Sequence, residues 1–141
     1  MDNMDETFIV IMLKDKDTGF LEKELGCYAA DDKYGLICNA YALEEEDGLY
    51  VYLKLTSGRD VEDWEYDAVF DYYDTETIAP EVISVSEEDG GYNPVWIVKF
   101  AFIDNIGLME EKINKLLELH KKELDSVYET IADKRDEYSE N

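Results

Sequence analysis

Residues 49–56 read Leu-Tyr-Val-Tyr-Leu-Lys-Leu-Thr, and their alternation decides the fold. Leu49, Val51, Leu53 and Leu55 fall on one side of an extended chain, with Tyr50, Tyr52, Lys54 and Thr56 on the other. A period of two describes a strand with one core-facing side and one wetter side. The pattern returns where Trp96, Val98, Phe100 and Phe102 alternate with Val95, Ile97, Lys99 and Ala101. Upstream, Asp17-Thr18-Gly19, Asp31-Asp32-Lys33 and Glu46-Asp47-Gly48 are turn signals. They divide the chain into strands over about 20–29 and 34–43 before the 49–56 strand. Phe8–Leu13 is apolar on both sides, as expected of a covered central strand. A short strand near 81–86 is separated from the Trp96 strand by Glu87–Asn93, which contains Asp89-Gly90-Gly91.

Asp63–Asp74 admits two readings. Wound as a helix, Val61, Trp64, Ala68 and Tyr72 share one face while Tyr66, Phe70 and Tyr73 fall on the opposite one. Extended, Trp64, Tyr66, Ala68, Phe70 and Tyr72 point one way and Asp63, Glu65, Asp67 and Asp71 the other. One clean face and a high aromatic content favour a strand.

From Ile106 to about Lys134 the period changes. Ile113, Leu117, His120, Leu124, Val127 and Ile131 repeat at about 3.5 residues, the stripe of a long helix. Asp104 or Asn105 supplies the N-cap, and Glu110 and Glu111 suit the positive end of the helix dipole. Some 30 helical residues reach roughly 45 Å, further than six or seven strands at about 4.8 Å spacing. The stripe is broad at Leu108, Leu116 and Leu119 and narrows beyond Leu124 to a seam suited to a partner helix. The expected fold is therefore α+β: an antiparallel, meander-like sheet of six or seven strands with one long C-terminal helix packed on one face. The expected core is Phe8, Val10, Met12, Leu36, Val51, Leu53, Trp96, Val98, Phe100, Ile113, Leu117 and Leu124.

The chain of 141 residues reads as a single domain over 1–141, an acidic sheet part (1–105) followed by the helix (106–141). Its 36 Asp and Glu against 13 Lys and Arg leave a net charge of -23, of which -19 belongs to residues 1–105. With 45% apolar and 13% aromatic residues it is no disordered acidic tail. Spread over a folded surface of roughly 7,500 Å², this is about one net negative charge per 330 Å². Such a field repels nucleic-acid backbones and anionic lipid, so neither direct nucleic-acid binding nor membrane binding is expected. The start of the chain places Asp2, Asp5 and Glu6 before a short apolar run, which is neither a signal peptide nor a membrane span. Cys27 and Cys38 make no secreted disulfide framework, so the expected location is cytoplasmic. They sit symmetrically about residues 32 and 33, as cross-strand neighbours in a hairpin would.

The chemistry-bearing inventory is thin. His120 is the single histidine, and its place in the helix stripe marks a core or interface residue ahead of a catalytic one. Two cysteines without a CxxC or a second histidine read as small buried residues. Asp15-Lys16-Asp17-Thr18-Gly19 begins like a calcium loop, but no Glu closes a 12-residue frame. No phosphate-binding glycine loop is present, and no cofactor or metal site is expected. Spaced about 6.6–6.8 Å apart along one strand side, Asp63, Glu65 and Asp67 approximate successive backbone phosphates.

Three stretches carry a family likeness: Lys14-Asp15-Lys16-Asp17-Thr18-Gly19-Phe20, Arg59-Asp60-Val61-Glu62-Asp63-Trp64-Glu65-Tyr66, and Tyr92-Asn93-Pro94-Val95-Trp96-Ile97-Val98-Lys99-Phe100. Together the chain resembles an uncharacterised family of small acidic clostridial proteins of similar length. The resemblance implies a single cytosolic domain and carries no functional residues across, because no activity is known for that family.

The expected function is a non-enzymatic acidic module acting through contact with a protein partner, which a basic surface would suit. A homodimer is expected through the distal helix at His120, Leu124, Val127 and Ile131. One alternative is an inhibitor, an antitoxin-like immunity protein or nucleic-acid mimic, that presents Asp63, Glu65, Asp67 and Asp71 to a basic active site. The other is an enzyme working with carboxylates and tyrosines in a sheet-and-helix cleft.

Overall fold

The structure is a computed structural model that describes residues 7–88 and 90–139; Asp2, Asp5, Glu6 and Asp89 lie outside the described residues. Its elements are β1 (Thr7–Lys14), β2 (Leu21–Ala30), β3 (Ile37–Glu45), β4 (Gly48–Thr56), α1 (Asp63–Tyr72), β5 (Ser84–Glu88), β6 (Val95–Ala101), α2 (Ile106–Ile131) and α3 (Arg135–Ser139). Two 3₁₀ turns, Thr75–Thr77 and Ala79–Glu81, join α1 to β5. The six strands form one sheet in the order β2-β1-β3-β4-β6-β5. Every pairing is antiparallel except β1 with β3, which run parallel at Met12 and Leu13. The fold is α+β as the alternation predicts, but the sheet is not a simple meander. β1 lies between β2 and β3, so residues 31–36 cross over its end instead of forming a hairpin turn. Asp32 shapes that crossing, its buried carboxylate accepting from the Leu36 and Ile37 amides at 2.6 and 3.0 Å. Cys27 and Cys38 are consequently not neighbours: β1 separates them, with Val10 opposite Cys27.

β4 and β6 behave as read. Val51, Leu53, Leu55, Trp96, Val98 and Phe100 are buried on the inner side, and their alternates point outward. β1 is turned over relative to expectation. Ile11 is fully buried while Phe8 and Val10 are 57% and 44% exposed. A strand that is apolar on both sides gives no signal for which side faces in, and a one-residue slip exchanges them. The inner set is Ile9, Ile11 and Leu13, and the expected core positions Phe8, Val10 and Met12 lie on the outer face.

Asp63–Asp74 is the main correction: residues 63–72 are helix α1, not a strand. At about 100° per residue, Ala68, Val69, Tyr66 and Phe70 cover a continuous arc of about 200°, while Asp63, Asp67 and Asp71 share a stripe of about 80°. What reads as two opposed apolar faces is one broad face, because α1 packs against both the sheet and α2. Phe70 meets Trp96 edge-on at 5.3 Å and Tyr66 meets Phe70 at 5.2 Å. On the far side the Tyr138 hydroxyl donates to Asp71 at 2.7 Å. The Glu65 carboxylate accepts from the Glu62 amide at 2.9 Å, satisfying a donor at the helix start.

α2 starts at Asn105, whose side chain accepts from the Leu108 amide at 2.9 Å. It buries a stripe from Met109 to Ile131 against the inner face of the sheet and α1. Leu124, Val127 and Ile131 are each 1% exposed and His120 is fully buried. The expected free seam for a second helix is thus already filled by this chain, and a homodimer through those four residues has no surface to use. Near its start α2 also seals the upper part of edge strand β2. Glu110 accepts from the Ala29 amide at 2.7 Å, and Asn114 accepts from the Asp31 amide at 2.6 Å.

His120 ties the layers together. Its Nε2 meets the Thr56 carbonyl at 2.8 Å, which only a protonated nitrogen can do, so Nδ1 accepts from the Tyr73 hydroxyl at 2.8 Å. Trp96 stacks on Tyr73 at 4.3 Å and meets His120 edge-on at 5.2 Å. Burial pushes the imidazole pKa down to about 4 and drives the Tyr73 phenol up.

Two stability measurements check this arrangement. Ile11→Ala should cost about 2–5 kcal/mol in urea unfolding, and Val10→Ala less than about 1 kcal/mol; equal costs would mean that β1 faces the other way. His120 has a folded pKa below its unfolded value of 6.5, so its contribution is intact above pH 6.5. As the pH falls from 6.5 to 4 the unfolded chain binds a proton that the native state refuses, and stability drops by on the order of 3 kcal/mol. His120→Gln should lose less stability than wild type across that window, and parallel curves would contradict the buried neutral imidazole.

Candidate functional site

The described helices pack on the inner face of the sheet, around Trp96, and among the described residues the outer face is open. Register places Phe8, Val10 and Met12 of β1 beside Cys27 and Ala29 of β2 at one side. Tyr41 and Leu43 of β3 follow, then Tyr50 and Tyr52 of β4, then Ile97 and Lys99 of β6. Phe8 and Val10 are exposed, and Met12, Tyr41, Tyr52 and Ile97 are half-buried by one another.

The centre of this face is aromatic and cationic. Tyr41 and Tyr52 are opposite on β3 and β4, and their rings stack 5.5 Å apart and 7° from parallel. Lys14 lies over the Tyr41 ring at 4.2 Å. Lys99 lies over Tyr50 at 4.6 Å and near Tyr52 at 5.6 Å. Lys99 also pairs with Glu45 at 2.9 Å, and the Tyr52 hydroxyl donates to the same carboxylate. The phenol of Tyr52 and the ammonium of Lys99 hold the Glu45 carboxyl below its usual range. Burial and then Glu45 raise Tyr52. Lys54 pairs with Glu88 at 2.9 Å, which raises the lysine.

Outward strand positions thus carry Lys14, Lys54 and Lys99 against Glu24, Glu45 and Glu88. The face adds nothing to the net charge of -23. The acids gather instead at the strand ends and around the helices. The Asp15 carboxylate beside Glu22 near the β1–β2 turn raises Glu22, with Glu44 adding to the effect.

Of the acids singled out in the sequence, Asp63, Asp67 and Asp71 do share one flank of α1, about 6 Å apart along its axis. Asp63 and Asp67 border a groove of about 880 Å³ with Asp60, Glu62, Tyr66 and Tyr92. Asp71 is engaged by Tyr138. Glu65 is turned away to the Arg59 guanidinium at 3.0 and 3.2 Å, which holds its carboxyl below the usual range. His120, Leu124, Val127 and Ile131 lie inside the molecule and meet neither surface. Sequence reasoning missed the outer face because it assigned Phe8, Val10 and Met12 to the core. The signal available was the Tyr50-Val51-Tyr52-Leu53-Lys54 alternation, which marks the outer side of β4 as aromatic and basic in an acidic chain.

Among the described residues no cluster of three or more His, Cys, Asp or Glu is arranged to hold a metal ion. No helix among them is long and apolar enough to cross a membrane. No curated protein and no solved structure matches the chain. A family model does match, over residues 4–139, and it spans all the strands and helices described above. The chain therefore belongs to the family of unknown function DUF6762.

Proposed function

We propose that this chain is a non-enzymatic, cytoplasmic protein–protein interaction module whose contact surface is the open face of the sheet. One observation carries the reading: an aromatic and apolar sheet face, balanced in charge, is left uncovered by the described residues of an otherwise strongly acidic molecule. Contiguous exposed apolar surface of this kind marks contact sites, and tyrosine is favoured at their centres. The lysines are held over tyrosine rings or against carboxylates, so the face is largely ordered before a partner arrives. The single histidine is occupied on both ring nitrogens within the core, which supports contact over acid–base chemistry.

A second reading has its own observation. The Asp63, Asp67 and Asp71 flank of α1, beside the acidic groove, suits an inhibitor-like contact with a basic protein site. Glu65 has no part in it, being committed to Arg59.

The two readings separate by experiment. A photo-crosslinking residue placed at Phe8 or Ile97 in the native cell should capture protein, whereas one at Lys122 or Glu129 on the exposed side of α2 should not. Adducts from the α2 positions alone would refute the sheet-face reading. For the second reading, reversing Asp63 and Asp67 to Lys should weaken a salt-sensitive complex with a basic protein by about 1 kcal/mol or more. Binding indifferent to both reversal and salt would remove it.

A further inference from the structure

Resting on the sheet-face reading, we infer that the partner of this face is a second copy of the same chain, packed sheet against sheet. The first argument is electrostatic. A basic partner would meet an acidic contact surface, since complementary interfaces match opposite potentials. The open face is not acidic: Lys14, Lys54 and Lys99 balance Glu24, Glu45 and Glu88. It is the surface through which two molecules of net charge -23 approach with least repulsion.

The second argument is area. Six strands at about 4.8 Å spacing are roughly 29 Å across, and seven residues at about 3.3 Å reach roughly 23 Å. The plan area is then about 670 Å² per copy, close to the ~800 Å² per partner of a stable interface. A twisted sheet meets another with strands about 30° apart and about 10 Å between layers. A two-fold arrangement of this kind is self-complementary and closed, with no further copies added. In it Phe8 and Val10, exposed in the single chain, acquire apolar cover, and the Tyr41–Tyr52 stack lies at the centre of the buried area. The dimer therefore forms on the layer opposite α2.

Sedimentation equilibrium of the full chain tests the inference. The wild type should be dimeric, and its dissociation constant should fall by about fivefold or more between about 0.05 and 0.5 M salt, because screening removes repulsion between the acidic rims. Val10→Glu and Ile97→Glu should each weaken the dimer by at least about tenfold, with circular dichroism confirming an unchanged fold. Lys122→Glu on the opposite layer should leave it intact. A monomer at roughly 100 μM chain in about 0.5 M salt overturns the second-copy partner. So does a dimer that ignores both face variants or dissociates as salt rises. If the chain is monomeric while crosslinkers at Phe8 or Ile97 still capture another protein, the sheet-face reading stands with a different occupant. If they capture nothing, both fall.

Discussion

A six-stranded sheet has two sides, and the helices of this chain cover one of them. α2 and α1 converge on Trp96, where Tyr73 stacks and His120 bridges to the Thr56 carbonyl, so the inner side is closed by an interlocked set of rings. Trp96 belongs to β6, Thr56 to β4, Tyr73 to the end of α1 and His120 to the middle of α2. One cluster therefore fixes which side is inside for β4, β6 and both main helices. Once that side is set, the period-two geometry of each strand sends its alternate residues outward with nothing among the described residues to cover them.

The composition of the outward residues shows how such a side is kept soluble without being made acidic. Tyr50 and Tyr52 present rings with polar ends, and Lys14 and Lys99 set their ammonium groups over tyrosine rings. Glu45 satisfies Lys99 and Tyr52 together. Each cation is spent locally, so the field of the molecule arises elsewhere, at the turns joining strands and along the outer flank of α1. Strand edges are treated differently from strand faces. β2 is sealed by Glu110 and Asn114, whereas β5 is short and polar at Ser84 and Ser86, both of which limit edge-to-edge pairing.

What was legible in the sequence follows from how local each signal is. β4, β6 and α2 could be read with their core residues because alternation or helical period is written in consecutive residues. Three features were not legible for three physical reasons. β1 has apolar residues on both sides, so its orientation depends on whether α2 or water meets each side, which the strand itself does not encode. α1 looks extended because its buried arc is wide; its width reflects packing against β6 and α2, both further along the chain. The insertion of β1 between β2 and β3 rests on a parallel pairing of only Met12 and Leu13 with Tyr41 and Ala42, a non-local choice that turn residues cannot announce. Of the acids named together, Asp63, Asp67 and Asp71 still share a flank, since spacings of four residues keep them together on a helix, and Glu65 does not.

The distribution of charge also assigns different ranges to the two surfaces. At physiological salt, electrostatic influence fades over about 8 Å, less than the ~10 Å between packed sheets. The acidic turns and the α1 flank therefore act on a partner at approach and at the rim, discouraging anionic surfaces and orienting cationic ones. They contribute little across the centre of the open face, where the charges already cancel in pairs. There the free energy of association comes from covering Phe8, Val10 and Ile97 and from the contact of tyrosine rings, which salt leaves nearly unchanged. A molecule built this way confines its repulsion to the rim and holds a second copy by a face that is itself neutral.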